Sequence, residues 1–356
     1  MVQEQTFSFK SRTEPIQVLR ACLALLIFLS HFESLSKYYG NFSMPVFIFY
    51  TISGFVVMLS TRKEEKVKGF LKRRFIRLLP LYWTLTVFTF IIAYIVPSFL
   101  SYQPSFLQLI QSMLCIPFSR ETIVNGHTTM RPIVGPAHTL EVEIFFSVIF
   151  FICMYISHKN RGKIASGVCL AFFVIGELLS IFRIDTNIDF IEFYITHSRS
   201  AWLYFFAGIV LFKIFNTAES KSIPISSLKK YSIFSIICSA AIFATIFLLA
   251  DRIYADYFYF FQAIAGFLLI FFLIILSQYP IKMPRFLVFF GDISFSFYLV
   301  HYYIVHITEK LLHVHSFGLL LVLAVFIALA VSILVACVSY YVFEKKLPKL
   351  LLSFRK

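Results

Sequence analysis

Two ionisable side chains lie in one apolar stretch near the start of the chain. Arg20 and His31 are eleven positions apart in RACLALLIFLSH, so a helix places both on one face, roughly 16 Å apart along its axis. Ionisable groups within a membrane span are costly and usually face a protein interior or a water-filled path. Imidazole suits general-base catalysis near neutral pH. The alternative is a structural pair, in which Arg20 reaches the cytoplasmic surface and His31 caps the far end.

A cluster of cations precedes another apolar stretch. The sequence KRRFIR occupies residues 72–77. Arg74 and Arg77 are three positions apart and share a helical face, where forked guanidinium groups suit the phosphates of a nucleotide-like cofactor. With Arg73 they are candidate cofactor-binding residues. The alternative is that the cluster only anchors the inner end of a span.

A carboxylate enters a later apolar stretch from the other side. In GPAHTLEVE, residues 135–143, we expect Glu141 at the rim and Glu143 about two turns inside, where an unpaired carboxylate is expensive. A carboxylate beside an imidazole fixes its tautomer and raises its basicity. Glu143 is therefore a catalytic candidate that orients His31. A structural Glu–His or Glu–Arg pair is the alternative.

Two further stretches combine small and polar residues. Ser53-Gly54 lies in an apolar run, where small residues favour close helix packing; Ser53 is also kept as a candidate cofactor-binding residue. Ser294, Tyr298 and His301 follow an i, i+4, i+7 spacing and form a polar stripe on an otherwise apolar helix.

Composition requires a membrane protein. Hydrophobic residues make up 59% of the 356 residues, charged residues only 14%, and the mean hydropathy is +0.83, which excludes a soluble globule. The six cysteines form no CxxC pair, so neither a disulfide framework nor a metal site is expected. We predict an all-α polytopic protein with about ten transmembrane helices. Their approximate ranges are 16–36, 45–60, 78–97, 136–157, 165–182, 199–215, 231–250, 257–277, 286–306 and 317–343. A short apolar piece near 106–116 is expected to lie in the interface or to re-enter.

The distribution of charge gives these spans a direction. With the amino terminus inside, 24 of the 32 Lys and Arg residues fall on the inner side and seven on the outer side, and Arg20 lies within the first span. This asymmetry predicts that both termini are cytoplasmic. The net charge of +14 is thus a topology signal rather than a sign of nucleic-acid binding.

The same residues, in order along nearly the whole chain, resemble the acyltransferase-3 family of integral membrane O-acyltransferases. The motifs that carry the resemblance are Arg20 with His31, Ser53-Gly54-Phe55, Arg74 and Arg77 before Leu-Pro-Leu-Tyr82-Trp83, Thr139 to Glu143, Gly291 to His301, and Ser339-Tyr340 before Glu344. Two departures are His138, where many relatives have Trp, and the displaced Pro348 after Glu344.

The resemblance implies a single membrane domain over residues 1–356, in a bacterial cytoplasmic (inner) membrane, with no fused extracytoplasmic domain. It implies transfer of an acetyl group from cytoplasmic acetyl-CoA to a hydroxyl of an extracytoplasmic or lipid-linked sugar, such as O-antigen or capsule. His31 is then the general base, while Arg20, Arg74 and Arg77 line the coenzyme A path. No metal is implied, and the partners are acetyl-CoA, the glycan and the bilayer.

Two other functions are compatible with many spans and buried polar residues. A transporter or flippase would show paired broken helices or an internal repeat, and none is detected. A polysaccharide polymerase is expected to carry a long outer loop with catalytic arginines, but the loop near 98–135 holds only Arg120 and Arg131. The acceptor sugar, an acyl group other than acetyl, and the oligomeric state are not specified by the sequence.

Overall fold

The computed structural model describes residues 6–9, 14–35, 44–62, 67–97, 99–100, 102–124, 127–249, 258–313 and 318–353. Helices dominate, which confirms the all-α class. The helices are α1 (Glu14–Ser30), α2 (Met44–Ser60), α3 (Val67–Ile95), α4 (Phe106–Met113), α5 (His138–Ile156), α6 (Arg161–Ile181), α7 (Asp189–Ile191), α8 (Arg199–Ser220), α9 (Ile225–Leu249), α10 (Phe258–Leu276), α11 (Arg285–Leu311), α12 (Leu319–Ser339) and α13 (Leu347–Ser353). Two π-helices, Glu192–His197 and Tyr340–Lys346, follow α7 and α12. One antiparallel hairpin, β1 (Ser119–Val124) with β2 (His127–Met130), connects α4 to α5.

Every predicted span corresponds to a helix. In the described part of the chain, eight helices are long and apolar enough to cross a membrane. The remaining two, α1 and α2, have 17 residues each. The first span is shorter than predicted, because α1 ends at Ser30 rather than near residue 36, and residues 36–43 lie outside the described residues. The chain is a multi-pass membrane protein, since only helices satisfy their own backbone hydrogen bonds in lipid.

Contacts divide the chain into two compact units. The first unit contains Met1–Arg62 and Leu203–Ala336, and the second contains Lys63–Trp202 and Cys337–Lys356. Two of the three boundaries fall within α8 and α12, and the third follows Arg62. The prediction of a single domain over the whole chain stays a prediction.

In the first unit, close helix packing depends on glycines. A Cβ at Gly291 of α11 would collide with the backbone oxygen of Gln17 in α1, and α1 packs along α11. Gly54 of α2 likewise meets the backbone of Phe205 in α8, and Gly208 meets that of Thr51. The packing role expected for the Ser53-Gly54 pair is thus confirmed.

A short extended segment at the start of the chain also belongs to this unit. Phe7 stacks on Phe215 with ring centroids 4.9 Å apart, and Phe9 stacks on Phe212 at 5.5 Å. The backbone N–H of Phe9 donates to the carboxylate of Glu219 at 2.9 Å. These contacts tie the segment to α8.

In the second unit, aromatic packing surrounds Trp202. The buried indole N–H donates to the backbone oxygen of Tyr194 at 2.7 Å, and Phe145 of α5 packs against both rings. Gly176 of α6 allows close approach to the backbone of Ile195. This packing links α5 and α6 to the π-helix that precedes α8.

The short apolar piece predicted near 106–116 is helix α4, whose eight residues are too few to span a membrane. Ser105 and Gln108 form a capping box at its start. Phe106 and Leu107 are 67% and 65% exposed, so an apolar side of this capped helix stays open. That combination suits the membrane interface.

Three aromatic side chains hold the end of α4. Tyr82 donates to the oxygen of Ser112, Trp83 to that of Met113, each at 2.8 Å, and Tyr194 to that of Cys115 at 2.6 Å. Burial raises the pKa of the Tyr194 phenol, which therefore remains a donor. Carbonyls at a helix end lack partners within the helix, so these donors fix α4 in the second unit.

Candidate functional site

His31 lies in the turn directly after α1, in the first unit, and is half-buried. Its Nδ1 lies 2.7 Å from the backbone oxygen of Ile27. A carbonyl oxygen can only accept, so Nδ1 must carry the proton. In a neutral imidazole the other nitrogen, Nε2, then holds the lone pair. This is the tautomer that a general base acting through Nε2 requires.

A second imidazole meets His31 within the same unit. His301 of α11 is completely buried, and its Nε2 lies 3.3 Å from Nδ1 of His31. The ring centroids are 4.9 Å apart, at an angle of 77°. The sequence places His301 on a polar stripe, but its pairing with His31, 270 positions away, arises from the packing of α1 along α11.

The other members of the stripe have different surroundings. Ser294 is buried, and its hydroxyl has no hydrogen-bond partner within the described ranges. Tyr298 lies beside His301, with ring centroids 5.7 Å apart. The stripe therefore faces the interior of the first unit.

Aromatic and acidic groups continue from His31 along the end of α11. The Tyr302 ring meets His31 edge-on at 5.3 Å, and His306 meets Tyr302 at 4.4 Å. The buried Glu309 accepts the backbone N–H of Glu33 at 3.0 Å. Sequence reasoning gave none of these residues a role in the site; their signal is the run of polar positions after His301.

Two further predicted residues of the first unit lie on α1 and α2. Arg20 is half-buried and donates to the side chain of Gln17 at 3.1 Å. Ser53 is buried in α2. Arg20 and His31 thus belong to one helix and its terminal turn, as the motif predicts.

In the second unit, Arg74 is bound by groups of α5. Its Nη2 lies 2.8 Å from the carboxylate of Glu143, and its Nε donates to the hydroxyl of Ser147 at 3.2 Å. The Arg74 side chain is only 15% exposed. The structural Glu–Arg pair considered for Glu143 is therefore present. The orientation of His31 by Glu143 stays a prediction.

Arg77 and Arg73 differ from Arg74. The Arg77 side chain is 46% exposed and lies 3.8 Å from Glu344, which is carried by the π-helix Tyr340–Lys346. Arg73 is exposed. The three arginines of this cluster thus comprise one enclosed cation and two accessible ones.

Near the start of α5, Glu141 and His138 have separate partners. Glu141 is buried and lies 2.8 Å from the Tyr82 hydroxyl; its expected place at the membrane rim stays a prediction. The Nδ1 of His138 donates to the backbone oxygen of Gly135 at 2.9 Å. Glu141 therefore helps to hold α3, α4 and α5 together.

Comparison with known proteins identifies the chain at the family level. No curated protein and no solved structure matches it significantly. Residues 15–341 match the acyltransferase domain of the acyltransferase-3 family, and this range includes every candidate residue of both units except Glu344. The chain belongs to the acyltransferase-3 family and is a membrane acyltransferase.

Proposed function

We propose that the protein transfers an acetyl group from cytoplasmic acetyl-CoA to a hydroxyl of an extracytoplasmic or lipid-linked sugar, in a bacterial inner membrane. O-antigen, capsule or a similar surface glycan is the proposed acceptor. The observation that carries this proposal is the anchored imidazole of His31, whose Nδ1 bonds the Ile27 oxygen at 2.7 Å. A sugar hydroxyl is a poor nucleophile at neutral pH, and a positioned base contributes ~10²–10⁴-fold.

In the proposed step, Nε2 of His31 takes the hydroxyl proton while the sugar oxygen bonds to the thioester carbonyl carbon. The carbon–sulfur bond then breaks, and the coenzyme A sulfur leaves as a thiolate that takes the proton from the imidazolium. Atoms and charge balance without any other reactant. The alternative is a two-step route, in which Nε2 itself attacks and forms an acyl-imidazole.

For the donor, we propose that Arg73 and Arg77 bind phosphates of coenzyme A. Both side chains are accessible, and guanidinium groups suit phosphate oxygens. Arg20 and Ser53 remain proposed contacts along the donor path. Arg74 is proposed to act together with Glu143, whose carboxylate it already binds.

The catalytic test uses labelled acetyl-CoA and membranes of cells that make the native surface glycans. Membranes with the wild-type protein should transfer label to glycan. His31→Ala and His31→Gln should both abolish transfer yet bind acetyl-CoA almost normally, since an amide cannot take the proton. Full transfer by His31→Ala would rule out both routes. When the protein is incubated with acetyl-CoA and no acceptor, a stable mass increase of roughly 42 Da on His31 would contradict direct transfer and support the two-step route.

The donor test compares arginines on the predicted cytoplasmic side. Arg73→Ala and Arg77→Ala should each raise the KM for acetyl-CoA about tenfold to hundredfold, since a charge-assisted hydrogen bond contributes ~1.5–3 kcal/mol. Lys at either position should restore affinity only in part. Arg285, exposed at the start of α11, provides the control: Arg285→Ala should leave KM unchanged. Equal effects at all three positions would indicate only general attraction of an anion.

A further inference from the structure

The two imidazoles of the first unit have a fixed order of donors and acceptors. The Nδ1 of His301 lies 3.0 Å from the backbone oxygen of Phe297, which can only accept, so Nδ1 carries the proton of a neutral ring. The Nε2 of His301 is then a lone-pair nitrogen, and it faces Nδ1 of His31 at 3.3 Å. The N–H of His31 thus has two acceptors, Ile27 and His301.

The surroundings of His301 hold this geometry in place. The ring is completely buried and stacks on Phe297 at 5.5 Å and 8°, with Phe28 of α1 at 6.3 Å. The ring of His31 in turn meets the ring of Tyr302 edge-on. Close packing of α1 against Gly291 keeps the two helices in register. A ring held by packing is preorganised as a hydrogen-bond acceptor.

We propose that His301 is a positioning residue, which accepts the Nδ1–H of His31 and so directs the Nε2 lone pair of His31 to the acceptor hydroxyl. When His31 takes the hydroxyl proton at Nε2, it keeps its Nδ1–H, and the bond to His301 becomes charge-assisted and stronger. His301 itself gains and loses no proton. This inference rests on the proposed function of His31.

The test uses two substitutions that separate hydrogen bonding from packing. His301→Phe keeps a buried ring and removes the acceptor. His301→Gln brings an amide oxygen to about the position of Nε2, where it can accept but not form an imidazolium. Transfer from labelled acetyl-CoA is measured in the native membranes as turnover and KM. We expect His301→Phe to lower turnover about 10- to 100-fold with KM unchanged, and His301→Gln to recover most of it.

A spectroscopic measurement reads the tautomer of His31 directly. In protein labelled with ¹⁵N-histidine, the His31 signals are identified by their loss in His31→Ala. The wild type should show Nδ1–H as the main tautomer. In His301→Phe the ratio of the two tautomers should fall about two- to tenfold, because one of two acceptors is lost, and in His301→Gln it should recover.

His197 provides the control for the His301 variants. His197 also donates from Nδ1 to a backbone oxygen, that of Glu192 at 2.7 Å, and His197→Phe should change neither turnover nor the His31 signals. Wild-type turnover and signals in His301→Phe would overturn the inference, as would equal impairment of the Phe and Gln variants. If His31→Ala stays active, the proposed base fails instead. If His31→Ala is inactive while His301→Phe has wild-type turnover, only the proposed role of His301 is wrong, and the proposed role of His31 stands.

Discussion

At the scale of residues, the environment of each arginine separates roles that the spacing alone assigns together. Arg74 and Arg77 share a face of α3, as their three-residue separation predicts. Glu143 and Ser147 enclose the guanidinium of Arg74, whereas Arg77 remains nearly half exposed beside Glu344. An enclosed, neutralised cation is a poor phosphate ligand. We therefore propose that Arg77 contributes more than Arg74 to binding the acyl donor.

A double-mutant cycle tests this distinction. Arg74→Gln and Glu143→Gln should each lower the thermal unfolding midpoint in detergent, because each leaves a partly buried charge without its partner. The double variant should recover part of the loss, giving a coupling of about 1–3 kcal/mol. The comparison pair is Arg77 and Glu344, which lie 3.8 Å apart, with Arg77 46% exposed and the Glu344 side chain buried. Its longer distance and exposed cation should make its coupling smaller than that of Arg74 with Glu143.

Turnover in the same variants tests the prediction that Glu143 orients His31. If Glu143 acts only through Arg74, the double variant should regain turnover together with stability. If Glu143 is needed for catalysis, turnover stays low and its pH optimum shifts, although stability recovers. No measurable coupling between Arg74 and Glu143 would contradict the ion pair as a source of stability.

At the scale of elements, glycines decide how closely helices approach. The packing of α1 along α11 brings His31 to His301, and Gly291 lies near the start of α11, against Gln17. Lipid tails are as apolar as the helix side chains, so the hydrophobic effect does not drive helices together within a membrane. Small residues, which let helix backbones approach closely, are therefore a principal means of helix packing there. Gly291 is therefore structural, although it lies in the motif that includes His301.

Gly291→Ala tests this contact. A Cβ there would collide with the backbone of Gln17, so α1 and α11 must separate. We expect a lower thermal midpoint and a loss of acetyl transfer. Gly266→Ala in α10 is the control, because its Cβ would meet Ile48 at an ordinary 3.5 Å and Ala favours helix. Wild-type stability and activity in Gly291→Ala would show that α1 and α11 do not need a glycine at this position to pack together.

At the scale of the whole molecule, the basic residues predict orientation. The structure confirms a multi-pass helical protein, and the excess of Lys and Arg on alternate loops predicts which side each loop faces. Both ends of the chain are then cytoplasmic. The exposed residues Lys159 and Arg183 flank α6 and are predicted on opposite sides.

Labelling of single cysteines tests this orientation. In a variant with its native cysteines replaced by Ser, a membrane-impermeant maleimide should label Arg183→Cys in intact spheroplasts. It should label Lys159→Cys only after the membrane is opened. The two positions flank one helix, so they should be labelled from opposite sides of the membrane. The reverse pattern would contradict the cytoplasmic termini.

The sequence alone determined the all-α membrane class, the approximate place of each predicted span, the short apolar segment that forms α4, and the family. These follow from apolar runs and short motifs, which are local properties. It did not determine that α1 ends at Ser30, because residues 31–36 contain no Gly or Pro to mark the end of a helix.

Only the tertiary structure decided which ionisable groups meet. His31 and His301 are 270 residues apart, and Arg74 and Glu143 are 69 residues apart. Hydropathy determines that such helices enter the membrane, but the fit of side chains, as at Gly291, determines which faces touch. The physical reason is that partner choice depends on shape and direction, whereas membrane insertion depends mainly on composition.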